Sequence, residues 1–210
     1  MSNKTELVTK ETALIGRDEK MVITERHFVN QTDLTAEKPQ GYKEVLLGLG
    51  CFWGAERIFW QLEGVFSTSV GYSGGFTKNP TYKEVCSGET AHAEVVRIIF
   101  DPSQITLDQL LVVFWEHHDP TQGMRQGNDI GTQYRSAIYT ESTDDLAVAL
   151  TSHNTYQTAI GERLSKNITT EIREMGEYYL AETYHQQYLA KNPQGYCGIG
   201  GTGVCFPPNL

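Results

Sequence analysis

Apolar positions along the chain first form short unbroken runs and then recur at helical spacing, and the two patterns alternate. Val45-Leu46-Leu47-Gly48-Leu49 has the length of a buried strand, and Gly50 after it permits a sharp turn. Ala55, Ile58, Phe59 and Leu62 then follow at i, i+3, i+4 and i+7, which predicts an amphipathic helix over residues 54–63 ended by Gly64. A second strand is expected over 67–72. A loop from Gly74-Gly75 to Pro80 precedes a short helical turn through Tyr82 and Val85, and residues 93–100 carry the strongest strand signal. Leu107, Leu110, Leu111, Phe114, Trp115 and His118 line one side of another helix, closed by Asp119-Pro120. A glycine-rich loop over 122–131 leads to a strand near 134–139. Ser142 with Asp145 three residues on resembles a capping box opening a helix to about residue 160, and Tyr184, Tyr188 and Leu189 predict a last helix before Pro193.

This alternation predicts an α/β (α+β) sandwich without fixing the strand order. Residues 1–41 show no sustained period and read as an irregular N-terminal arm without chemistry; 42–194 form the α/β domain; 195–210 form a mobile tail. In that tail five glycines fall within residues 195–205, which favours mobility over a regular element. At 210 residues, against roughly 150 per domain, one domain overall is expected. With 39% hydrophobic and 20% charged residues the chain can bury a real core. A net charge of -9 without a basic run argues against duplex nucleic acid as a partner. No stretch approaches the roughly 20 apolar residues of a membrane span, and Met1-Ser2-Asn3-Lys4-Thr5-Glu6 lacks a secretory apolar core, so a cytoplasmic location is expected.

Thiols in such a compartment stay reduced unless they react, so Cys51, Cys86, Cys197 and Cys205 need a chemical reason. Cys51 stands where a strand hands over to a helix; free backbone N–H groups and the helix dipole there favour thiolate, making it a candidate nucleophile rather than a buried structural cysteine. Phe52 and Trp53 in the first turn could wall an apolar pocket or belong to the core. Glu94 opens an apolar strand, where burial would raise its pKa and suit it to general acid work; a strand-end carboxylate reaching water is the alternative. Cys197 and Cys205, eight apart on a glycine-rich tether, suit sequential thiol-disulfide exchange, against the alternative of incidental tail cysteines. A zinc site from Cys197, Cys205 and His185 lacks the paired spacings of structural sites. His92, His117 and His118 read as helix-end or surface histidines, and Cys86 as structural.

Four stretches together resemble one family. Gly50-Cys51-Phe52-Trp53-Gly54-Ala55-Glu56, His92-Ala93-Glu94-Val95-Val96, residues 127–136 (GNDIGTQYRS) and Tyr184-His185-Gln186-Gln187-Tyr188-Leu189 look like the A-type peptide methionine sulfoxide reductases, over roughly residues 42–206. The resemblance implies a two-layer sandwich like a ferredoxin-like plait. It implies that Cys51 attacks the sulfur of methionine-S-sulfoxide, free or in oxidised proteins, while Glu94 protonates the oxygen. Tyr82 and Tyr134 would hydrogen-bond that oxygen, Asp129 would support the polar side, and Phe52 and Trp53 would enclose the methyl group. It makes Cys197 the resolving and Cys205 the recycling thiol, with thioredoxin as reductant. A monomer without cofactor or metal is expected. A thiol peroxidase and a zinc-stabilised interaction module are the rival readings.

Overall fold

The structure, a computed structural model, describes residues 4–208. The first apolar run forms β1 (Lys43–Leu49) and passes through Gly50, at φ +89°, into α1 (Phe52–Phe59) with Cys51 as its N-cap. Then come β2 (Val65–Ser73), α2 (Tyr82–Ser87), β3 (Ala93–Phe100) and α3 (Leu107–Glu116). Thr81 with Glu84 and Thr106 with Gln109 close complete capping boxes that start α2 and α3. A small hairpin, β4 (Arg125–Gln126) with β5 (Asp129–Ile130), lies inside the expected loop and precedes β6 (Ser136–Thr140). The chain continues through α4 (Thr143–Leu164), capped by the Ser142 hydroxyl, β7 (Glu171–Glu174), β8 (Tyr178–Leu180) and α5 (Tyr188–Lys191).

The mixed α/β expectation holds. Six strands form one sheet in the order β7-β6-β1-β3-β2-β8, antiparallel throughout except for the parallel β6–β7 edge. The central order β6-β1-β3-β2 carries two strand-helix-strand halves, and β7 and β8 widen the sheet on either side. Strand residues alternate between faces. On the helix-covered face Leu47, Leu49, Val96, Ile98, Phe100 and Val70 pack with Phe59, Leu110, Leu111, Phe114 and Trp115. Leu46, Ala93, Val95, Ala137 and Tyr139 form a smaller cluster with Met175 and Tyr178. Glu94 is paired with Tyr72 across the ladder, and the alternation puts it in phase with Val96, Ile98 and Phe100.

Several boundaries differ from expectation. Helix α1 begins two residues before 54 and ends at Phe59, because Gly64 at φ +89° serves the turn into β2, where a side chain would meet Ile105. A single 3-10 turn, Thr132–Tyr134, precedes β6, and another, Thr183–His185, replaces the first half of the expected last helix. The arm is irregular but firmly attached: Arg17 donates to Glu84 at 2.5 Å and Asn30 to the Phe66 carbonyl at 2.9 Å. His27, fully buried, shares a 3.0 Å hydrogen bond with Thr68. The tail is seated as well. Val204 is buried, the Tyr156 hydroxyl donates to its carbonyl at 2.8 Å, and the Phe206 N–H donates to Glu116 at 2.7 Å. Gly201 packs so closely on α3 that a Cβ would lie 1.9 Å from the Glu116 carbonyl oxygen, so this glycine serves close approach.

Candidate active site

Gly50 lets the chain turn sharply between β1 and α1; its positive φ and the Gln126 side chain 2.6 Å from any added Cβ both exclude a larger residue. The turn leaves the Cys51 thiol partly buried at the mouth of α1, free of any disulfide. Burial pushes this thiol well above its ordinary value, and the charge of Glu94 adds to the effect only where Glu94 is ionised; the backbone N–H groups of Trp53 and Gly54 oppose both. The expected resting thiolate is therefore corrected. Two N–H groups at the end of an eight-residue helix offset only part of the hydration a buried thiolate loses.

Glu94 reaches no water. It is 1% exposed, and its carboxyl accepts from the Phe52 N–H at 3.1 Å, one residue beyond Cys51. Burial raises its pKa to about 8, the Phe52 N–H opposing and the Asp129 charge assisting, so it carries a proton at neutral pH. Tyr82, the first residue of α2, and Tyr134, at the end of its 3-10 turn, are both raised by burial and by Glu94, and so remain hydroxyl donors. Tyr134 also feels Asp129 and Cys51. The structure thus draws Cys51, Glu94, Tyr82, Tyr134 and Asp129 into one electrostatic cluster.

Phe52 and Trp53 take different places. Phe52 is buried against Tyr72 and His185, with ring centroids 5.9 and 5.1 Å away, behind the half-buried Trp53. Trp53 stacks on Tyr188 at 3.8 Å and donates its indole N–H to His185 Nδ1 at 2.9 Å. Indole can only donate, so His185 holds its own proton on Nε2, and burial lowers its pKa to about 4. Glu182 accepts from the Tyr72 hydroxyl at 3.0 Å and from the Tyr82 N–H at 2.8 Å, anchoring the start of α2. An open cleft of about 1000 Å³, lined in part by Phe28, Tyr184, Tyr188 and Lys191, adjoins this wall at Tyr188.

His92 is not the helix-end or surface histidine expected: it is buried and bonded to the Thr77 carbonyl at 2.7 Å. His117 is the C-cap of α3, and His118 beside it, though buried, is also at the helix end, bonded to the Phe114 carbonyl and to Ser136 at 2.7 Å each. Cys86 lies one turn after Tyr82 and borders the cluster. Cys197 meets Arg57 Nη2 at 3.1 Å, while Cys205 is exposed. Beside Cys197 the Tyr196 hydroxyl donates to Asp129 at 3.1 Å. Among the described residues no three His, Cys, Asp or Glu side chains are grouped to hold a metal ion. Arg57, His185, Tyr188 and Tyr196 had no local sequence signal for these contacts; only the fold brings them here.

The model of the family described as peptide methionine sulfoxide reductase matches residues 43–202. Peptide methionine sulfoxide reductase MsrA of Vibrio vulnificus is 66% identical over 208 residues, 99% of this chain and 100% of the relative. Methionine sulfoxide reductase A of Corynebacterium diphtheriae is similar in structure, with a TM-score of 0.87 at 45% identity over 97% of this chain and 100% of that one. Reduced Mxr1 from Saccharomyces cerevisiae has a TM-score of 0.71 at 36% identity, covering 79% of this chain and 94% of that one. Mxr1 has also been solved in complex with Trx2, a fold likeness with TM-score 0.51 at 23% identity over 74% of this chain and 91% of that one.

Proposed function

From the premise that the chain belongs to the peptide methionine sulfoxide reductase family, and is an oxidoreductase of that family, we propose that it reduces the S epimer of methionine sulfoxide, free and within oxidised proteins, through Cys51. The observation that carries the reading is Glu94: a buried carboxyl, held by the N–H next to the nucleophile and protonated at neutral pH. Sulfoxide sulfur is a poor electrophile until its oxygen is protonated or hydrogen-bonded, so an acid placed beside a sulfur nucleophile lowers the barrier twice over. Tyr82 and Tyr134, kept as hydroxyls, add hydrogen bonds to the oxygen, and Asp129 supports that polar side. Trp53, backed by Phe52, offers the methyl group an apolar wall.

In the step itself Cys51 loses its proton to solvent and its sulfur bonds to the polarised sulfoxide, while Glu94 gives its proton to the oxygen. The new S–S bond and the S–O bond of the sulfoxide then break as the hydroxyl passes to Cys51, which becomes a sulfenic acid; methionine leaves reduced by two electrons, and Glu94 remains as carboxylate until reprotonated. Cys197 then resolves the sulfenic acid as a disulfide with Cys51, and Cys205 takes over the bond, displacing Cys51. The exposure of Cys205 suits it to an external dithiol, thioredoxin, as the Trx2 complex of Mxr1 suggests for this chain too. The cleft beside Tyr188 leaves room for polypeptide flanking an oxidised residue.

Mass mapping of the chain after substrate addition without reductant tests the sequence of events. Methionine release should reach one equivalent in the Cys197→Ser variant, with sulfenic acid on Cys51. The intact chain should show Cys51–Cys197 and then Cys197–Cys205 links. A disulfide set that never includes Cys51 removes it as the nucleophile.

A further inference from the structure

The seat of Cys197 in the reduced chain is built from α1 itself. Its sulfur accepts from Arg57 Nη2 at 3.1 Å, and Arg57 forms no ion pair among the described residues. In a chain with 26 acidic residues, an arginine whose hydrogen-bond partner is a thiol is an unusual use of a cation. Gly54, one turn earlier on the same face, is the floor: a Cβ there would lie 3.1 Å from the Cys197 sulfur and 2.7 Å from Ile199 Cγ1. Gly54 is also one of the two residues whose N–H faces the Cys51 sulfur. Tyr196 completes the seat by donating to Asp129 at 3.1 Å.

We propose that Arg57 is a positioning residue for the resolving step: with Gly54 it docks Cys197 over the first turn of α1, beside Cys51, before any oxidation occurs. This rests on the proposed function. In that step the S–O bond of the Cys51 sulfenic acid breaks, an S–S bond to Cys197 forms, and the departing hydroxide takes the thiol proton and leaves as water. Arg57 holds the attacking sulfur in place, so the tail does not have to search for its target. Its contribution falls on disulfide formation and hardly on methionine release, which Cys51 and Glu94 carry out.

Single-turnover experiments on the full reduced chain test this, following methionine release and loss of the sulfenic acid, the latter by trapping with a 1,3-dione and mass analysis. Arg57→Met should slow disulfide formation by about tenfold or more relative to methionine release, with the trapped Cys51 adduct accumulating. Arg57→Lys, which keeps a donor cation without the planar fork, should restore part of the rate. Equal slowing of both steps, or of neither, overturns the role of Arg57. Failure of the unsubstituted chain to release methionine at all instead overturns the underlying function, so the two are read separately.

Discussion

Cys51 and Cys205 occupy opposite environments on one chain. The first lies at a strand-to-helix junction, largely removed from water, its ionisation opposed by burial. The second rides on a segment held by a few contacts of its neighbours and faces solvent. Cys197 stands between them, partly buried, with one hydrogen bond to the helix that carries Cys51. The difference separates two chemistries. Protonation of a sulfoxide needs an acid that water would otherwise keep ionised, and therefore a dry site; exchange with a protein dithiol needs a sulfur that another macromolecule can reach.

Removing the sulfur from the dry end should have the largest effect. Cys51→Ser is expected to abolish methionine formation while the fold persists; detectable turnover above the uncatalysed rate would place the attack elsewhere. Glu94→Gln keeps the shape and an acceptor for the Phe52 N–H but has no proton to give, and should slow release about 10²- to 10⁴-fold. The same acid sets a pH limit. Its folded pKa is raised to about 8, so the reactive protonated form is complete well below that value and disappears as pH rises through it. Because Cys51 must also shed its proton and its pKa is held above that of Glu94, the single-turnover rate of the parent chain should rise with pH to about 8 and level off there, whereas the slower Glu94→Gln rate should keep rising. A break near pH 8 unchanged by the substitution would assign it to another group.

The contrast itself can be read by alkylation at neutral pH. Cys205 should react first and Cys51 last, with rates separated on the order of tenfold, as peptide mapping after brief labelling would record. Equal rates would mean that the junction is no drier than the tail. Here the limits of local sequence are plain. The run of β3 is legible because a strand buried on both faces is mostly apolar, and Gly50 before Cys51 announces the turn. Whether Glu94 meets water is not legible at a strand end; the ladder decides it by setting Glu94 opposite Tyr72 in a covered sheet. Tyr82, Asp129 and Tyr134 come from the family resemblance alone, since turn starts and hairpins carry no periodic signal. Trp53 meets His185 across 132 positions and Arg57 meets Cys197 across 140, contacts that no local pattern encodes. The short β7 and β8 escape notice for a related reason: at three or four residues they are too brief to show alternation.

The smallest effect probes how firmly the tail end is held. Tyr156 is buried between α3 and the tail; its hydroxyl donates to the Val204 carbonyl at 2.8 Å and meets Thr202 at 3.2 Å, while its ring stacks with Phe206 at 5.9 Å. Tyr156→Phe keeps the stacking and removes the hydroxyl, leaving a buried carbonyl without this donor, at a cost of about 1 to 2 kcal/mol. For a chain of this size that corresponds to a melting temperature about 2 to 8 °C lower. Methionine release in one turnover should be unchanged, because the hydroxyl bonds Val204 and Thr202 and none of Cys51, Glu94, Tyr82, Tyr134 or Asp129. If the tail is held by this bond, Cys197 should also be alkylated faster in the variant, since Val204 and Phe206 anchor the segment on which it is seated. An unaltered melting curve together with an unaltered labelling rate would mean that packing of Phe206 and Val204 alone retains the tail, and that the hydroxyl contributes no more than water would.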